Sequence, residues 1–331
     1  MRITSLGSGS TGNALLVEAG PRRRTRLLVD AGLSSHVLLG RLRQVGVVPS
    51  QLQGVLVTHE HSDHIIGLFS LMSRYSIPAI ADPRTLEAIE EIYTSGIYRT
   101  DSGGQLQRPS LDAQAMEPST LVPGNEIPTR LPPPAEQQVL LSPRSGRKSR
   151  LRYATTFAVG SSLVIGDIEV QSFPVSHDAV APCGYLLRAG GCRVCIAIDS
   201  GEVTPTMLEM MSRADLLVIE ANHDRQRLLS GPYPYIVKQR ILSNLGHLSN
   251  DQAAEALLHT WRPDSIRWVW LSHLSLVNNT PAIALDIVRS RIEFAQANPA
   301  QVHLTTLPPG IGSTWDSTQL WESLTLWEMQ G

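Results

Sequence analysis

The chain has 331 residues, 42% of them apolar and 18% charged, with a formal net charge of −2. That apolar content can bury a large core in one large domain or two small ones, and it excludes disorder of the whole. The near-neutral balance exerts no global pull on nucleic acid, so any such attraction has to come from local patches, of which Arg22-Arg23-Arg24-Thr25-Arg26 and Arg144, Arg147, Lys148, Arg150 and Arg152 are the two candidates. No run reaches the ~18 apolar residues of a membrane span, and the N-terminus lacks a signal peptide's basic-then-apolar order. Three cysteines, Cys183, Cys192 and Cys195, are too few and too odd in number for a disulfide framework. A cytoplasmic protein without a membrane partner is expected.

Residues 2–6, 14–18 and 26–30 read as short strands separated by Gly-rich or basic turns, which predicts an opening β-meander. Between Gly7 and Gly12 the spacing G-x-G-x-x-G follows a strand, with Asp30 downstream, as a dinucleotide site would require. The helix that should follow is missing from the pattern, because Asn13-Ala14-Leu15-Leu16-Val17-Glu18 is β-like and ends in a turn. A plain strand connection is the better reading. An amphipathic segment near 34–45 precedes the buried strand Gly54-Val55-Leu56-Val57-Thr58, followed by helices near 63–75 and 84–95. From Thr100 to about Arg152 the chain turns rich in Pro, Ser, Gly and Gln, as in Leu131-Pro132-Pro133-Pro134, and reads as a flexible insertion in a single domain spanning 1–331. Strands are expected at 157–159, 163–165, 168–173, 184–188, 193–198, 216–219 and 267–271, with helices near 205–213, 251–260 and 281–296. Strands in both halves with helices between them suggest two sheets packed face to face under helices, an α/β (α+β) class.

Chemistry concentrates after the strand at 54–58. His59, His61, Asp63 and His64 place four metal-competent side chains within six residues. Positions two apart on a helix differ by about 200°, so His59 and His61 converge only in an extended stretch, whereas Asp63 and His64 open a helix and turn toward a second point. That geometry favours two neighbouring metals over one. Four such groups after a buried strand are costly unless something binds them. Apolar runs end in a candidate ligand again at His177, Asp199 and His273, and strand ends are where layered α/β proteins assemble their sites. Taken singly, His177 and His273 also read as strand-end hydrogen bonders and Asp199 as a turn residue.

These residues carry a family resemblance. Thr58-His59-Glu60-His61-Ser62-Asp63-His64 resembles the H-x-H-x-D-H signature of the metallo-β-lactamase superfamily, and Asp30 resembles the aspartate that precedes it at a strand end. Ser176-His177-Asp178-Ala179, Ile198-Asp199-Ser200-Gly201, Glu220-Ala221-Asn222-His223-Asp224, Gly246-His247-Leu248-Ser249-Asn250 and Ser272-His273-Leu274-Ser275 are similar to the WalJ/YycJ-like branch. The resemblance covers roughly residues 1–100 and 155–305. It implies a four-layer αββα sandwich and a metal-dependent DNA exonuclease or phosphodiesterase acting through a metal-bridging hydroxide. By the same resemblance, His59, His61 and His177 hold one divalent ion, zinc or manganese, and Asp63, His64 and His273 the other. Asp199 bridges them, and Asp63 also counts among the catalytic groups. His247 resembles the histidine that ribonuclease Z-type enzymes place over the scissile phosphate, with Glu220 orienting it. Asn222, His223 and Asp224 are read, with Asp30, as supporting or substrate-contacting residues.

Other sites fail on spacing. A zinc protease needs H-E-x-x-H, but the third place after His59-Glu60 is Asp63. A deaminase needs P-C-x-x-C, and Pro182-Cys183 has no second cysteine in place. Cys192 and Cys195 read as core, and His36, His259 and His303 as ordinary element residues. Nucleic acid is the expected substrate. A metallo-hydrolase of a small phosphodiester, thioester or lactam is the alternative, and a non-catalytic metal-binding regulator is the third reading. Oligomeric state is left open.

Overall fold

The computed structural model describes residues 1–94, 99–100, 106–107, 151, 153–263 and 265–320. Strands β1 (Arg2–Gly7), β2 (Ala14–Ala19) and β3 (Thr25–Val29) form the antiparallel meander that the sequence predicts. There follow α1 (Ser35–Gln44), β4 (Gly54–Leu56), α2 (Ser62–Ile65), α3 (Leu68–Tyr75), β5 (Ala79–Ala81) and α4 (Pro83–Thr94). The single helix expected near 63–75 is therefore two. It breaks at Gly67, where a Cβ would stand 2.4 Å from the Leu33 carbonyl oxygen. β6 (Arg99–Thr100) pairs with β7 (Leu106–Gln107), and the remainder of the expected insertion at 100–152, Leu151 apart, lies outside the described residues.

The second half runs β8 (Ala154–Thr156), β9 (Ser162–Ile165), β10 (Ile168–Pro174), β11 (Cys183–Ala189), β12 (Cys192–Ala197), α5 (Pro205–Ser212), β13 (Leu216–Glu220), α6 (Arg225–Ser230), α7 (Tyr235–Leu242), α8 (Asn250–His259), β14 (Arg267–Ser272), α9 (Pro281–Phe294), β15 (Val302–Thr306) and β16 (Thr314–Asp316). The strand expected at 157–159 lies at 154–156, because Phe157 leaves the strand to bury its side chain between the sheets. β5, α6, α7, β15 and β16 carry too little apolar periodicity to be foreseen.

One sheet has the order β16-β1-β2-β3-β4-β5-β8 and the other β15-β14-β13-β12-β11-β10-β9. Period-two alternation divides their side chains between faces. Leu27 and Val29 point between the sheets with Val194, Ile196, Leu216 and Val218, while Leu28 faces α1, α3 and α4, and Cys195, Leu217 and Ile219 face α5, α8 and α9. Because both faces of each central strand are covered, these strands read as unbroken apolar runs. The result is the four-layer αββα arrangement. Each sheet is antiparallel on one side and parallel on the other, with the change at β3 in the first and at β12 in the second. The connections leaving β3, β4, β12, β13 and β14 carry Asp30, the 58–64 loop, Asp199, the 221–224 turn and His273. Among the described residues, no helix is long and apolar enough to cross a membrane.

Candidate metal centre and its cleft

The loop after β4 is held from below by Asp30, whose Oδ1 accepts from the Thr58 amide at 2.9 Å. Thr58 Oγ1 lies 3.0 Å from Asp30 Oδ2 and 3.0 Å from His59 Nδ1, so the hydroxyl donates to the carboxylate and accepts from the ring. That leaves the lone pair of His59 on Nε2. His177 Nδ1 faces the Gly246 carbonyl at 2.9 Å, and a carbonyl only accepts, so this ring too keeps its lone pair on Nε2. The two nitrogens meet His61 Nδ1 at 3.1 and 3.2 Å. Tetrahedral donors about 2.0–2.1 Å from a zinc ion stand roughly 3.3 Å apart, so the three rings fit one cation.

A second group forms beside the first. His64 Nδ1 lies 2.8 Å from Asp30 Oδ2 and therefore carries the proton, and its Nε2 lies 2.6 Å from Asp199 Oδ2. A lone pair cannot rest that close to a carboxylate oxygen without a proton or a cation to reconcile them. His273 Nε2 is 3.4 Å from Asp63 Oδ2, and its Nδ1 is 2.5 Å from Asp199 Oδ1. His59, His61 and His177 have ligand atoms within 4.8 Å of one another, as do Asp63, His64 and His273. Asp199 stands between the groups, with Oδ2 also 3.8 Å from His59 Nε2. Its donor chemistry fits two adjacent divalent ions. Burial works against charge on the rings of His59 and His64. It holds His59 well below its ordinary pKa with help from His64, whereas Asp30, Asp199 and Asp63 outweigh burial and raise His64 well above.

The side chains of three of these residues are aimed by unusual backbone. Asp30, Asp199 and His273, each just beyond a strand, have φ of 62°, 55° and 54°. Glu220 ends β13 fully buried, and its Oε1 serves two rings, His247 Nδ1 at 2.7 Å and His273 Nδ1 at 3.1 Å. Its Oε2 accepts from the Ser200 and Leu248 amides. His247 lines a cleft of about 500 Å³ together with His61, Asp63, His177, Asp199 and His273. Burial opposes its charge, but Glu220 and Asp199 outweigh it and push the imidazolium up to about 9.

The remaining predicted residues divide. Asn222 donates to the His273 carbonyl at 3.0 Å, so it fixes the turn that carries that ring. His223 is buried, neither ring nitrogen has a hydrogen-bond partner among the described residues, and burial lowers its pKa to about 4. Asp224 caps α6 by accepting from the Arg227 amide at 2.8 Å, a local structural role. In the arginine turn at 22–26 most of the cations have carboxylate partners. Arg23, Arg24 and Arg26 pair with Asp316, Asp167 and Glu18, and the turn enters the opposite end of β3 from Asp30. The second basic cluster, at 144–152, lies outside the described residues. Sequence reasoning passed over Asn13 and Ser8. Asn13 Nδ2 is 3.4 Å from Asp63 Oδ2 and 3.1 Å from His64 Nε2, and Ser8 Oγ accepts from the His273 amide at 2.8 Å. Both sit in the Gly-rich connection between β1 and β2, which contacts the Asp63–His64 segment and His273 and opens no helix.

The sequence pattern of the Metallo-beta-lactamase superfamily matches residues 7–209, and the chain belongs to that superfamily. It is 32% identical over 308 residues to the exodeoxyribonuclease YycJ of Bacillus anthracis, covering 92% of this chain and 95% of that one. It is 33% identical over 283 residues to the exodeoxyribonuclease WalJ of Streptococcus pneumoniae, covering 86% of this chain and 85% of that one. Among solved structures, the metallo-beta-lactamase fold protein YhfI of Bacillus subtilis shares the fold with a TM-score of 0.59 at 16% identity, over 95% of this chain and 99% of that one.

Proposed function

We propose that the chain is a binuclear metal-dependent phosphodiesterase that degrades nucleic acid, DNA foremost, from strand ends. The observation that carries this reading is His247 on the cleft wall, its Nδ1 tied at 2.7 Å to the buried Glu220 beside the two ligand groups. Relatives over most of the chain's length bear the name exodeoxyribonuclease, which supports the substrate class. His59, His61 and His177 would hold one cation and Asp63, His64 and His273 the other, with Asp199 between them. Zinc and manganese both suit such nitrogen and oxygen donors. When bound, the pair supplies Lewis acidity and a lowered water pKa at the phosphorus. Glu220 holds the Nδ1 proton of His247, which leaves Nε2 to give a proton to the departing oxygen or to steady charge on the phosphoryl group. Three free, buried cysteines suit a reducing cytoplasm.

The test is turnover by the zinc- or manganese-reconstituted protein of end-labelled single- and double-stranded DNA, RNA, a chromogenic phosphodiester and a thioester. Release of short products from DNA is expected. Thioester turnover with no attack on any phosphodiester would end the reading.

A further inference from the structure

Between the 221–224 turn and His247, residues 225–246 form an arm of α6 and α7 that leaves the metal centre and returns to it. Its end is fastened there. The Gly246 carbonyl accepts from His177 Nδ1, the Leu245 carbonyl accepts from the Asp178 amide at 3.1 Å, and Arg240 Nε donates to Asp178 Oδ2 at 2.6 Å. The stretch holds Arg225, Arg227, Lys238 and Arg240 and no carboxylate, in a chain whose net charge is −2. α7 buries none of its eight residues. Val237, Arg240 and Ile241 on one side line the cleft, while Tyr235 and Ile236 stand 77% and 78% exposed. Leu229 and Leu245 on the same arm, and Leu276 and Val277 on the loop after His273, are exposed as well.

Cations beside bare aromatic and branched side chains, on an arm whose Tyr233, Val237, Arg240 and Ile241 line the cleft, suit one kind of occupant, a polyanion with flat apolar faces. A second copy of this chain packed arm to arm would set like charges against each other. We infer that the arm grips an unpaired nucleic-acid strand end, with phosphates on Arg225 and Arg227 and a base stacked on Tyr235, and feeds the next phosphodiester to His247. Lys238 and Arg240 hold the arm in shape, since Lys238 Nζ donates to the Leu229 carbonyl at 2.7 Å. This inference rests on the phosphodiesterase reading, but its test does not require turnover.

The experiment is fluorescence anisotropy of the full, metal-loaded chain with a labelled phosphorothioate single strand of about a dozen nucleotides, and with the same sequence as a blunt duplex, across a salt series. Tighter binding of the single strand is expected. Exchanging Arg225 and Arg227 together for alanine should weaken it and flatten the log–log salt slope by about 1.4, at roughly 0.7 per lost phosphate contact. Tyr235→Ala should weaken it about tenfold to a hundredfold with the slope intact, and Tyr235→Phe should restore it. Arg289→Ala on the exposed side of α9 removes a cation elsewhere and should leave affinity unchanged. Arm variants that keep wild-type affinity and slope overturn the inference. So do variants that alter only self-association, or only adhesion to anionic vesicles. A wild-type protein inert toward the chromogenic phosphodiester removes the hydrolase reading instead, and the binding measurements still decide the arm.

Discussion

The two sides of the metal cluster are built differently. Upstream, His59, His61, Asp63 and His64 come from one loop within six residues, placed by local backbone and by the Asp30 and Asn13 props. Downstream, His177, Asp199, Glu220 and His273 each come from a separate strand end, so their positions follow from the register of the whole second sheet. The loop gathers its donors on one short segment, so removing one of them is expected to leave the rest in place. The strand ends are points of a rigid frame, and Asp199 touches both ligand groups.

The largest test of that contrast is Asp199→Ala against His61→Ala. The first should empty both sites and cut turnover on the order of 10³-fold or more, beyond the roughly 10²–10³ of losing one electrostatic stabiliser. The second should leave one ion bound. Metal content by mass spectrometry beside turnover separates them, and two tightly held ions in Asp199→Ala would refute its central placement. Next comes His247→Ala, expected to lower turnover about 10²–10⁴-fold with metal content unchanged. Glu220→Gln should cost less, about 10–100-fold, because it disturbs an orienting hydrogen bond and no reacting group. A smaller effect tests the loop through its neighbour. A Cβ on Gly32 would fall 1.5 Å from the Asp63 carbonyl oxygen, so Gly32→Ala should push the loop aside, costing about 1–3 kcal/mol in thermal unfolding and weakening metal retention. The smallest lies in the frame. Burial pushes the thiols of Cys183 and Cys195 up to about 12, so neither should be alkylated at pH 8 until the chain is unfolded, as peptide mass mapping would report.

The same contrast explains what the sequence disclosed. Four metal-competent residues in a tight run announce themselves, and the strand-end positions of His177, Asp199 and His273 show because each closes an apolar run that needs burial on both faces. Which of these residues would hold which ion is what the family resemblance implies, since spacing alone leaves it open. Asn13 and Ser8 were hidden because their partners Asp63 and His273 lie 50 and 265 positions away, and a Gly-rich connection carries no local sign of what it props. The pairing of Arg24 with Asp167 across 143 positions was hidden for the same reason. The arm escaped notice because a helix with no buried face has no periodicity to read.

The left-handed backbone at Asp30, Asp199 and His273 has a consequence for durability. Each such residue stores about 1–3 kcal/mol of conformational strain, which glycine would release. The three bends that aim these side chains inward therefore carry strain that bound ions would offset. Chelation should lower the melting temperature of the native chain, and thermal unfolding with and without added zinc would read the difference.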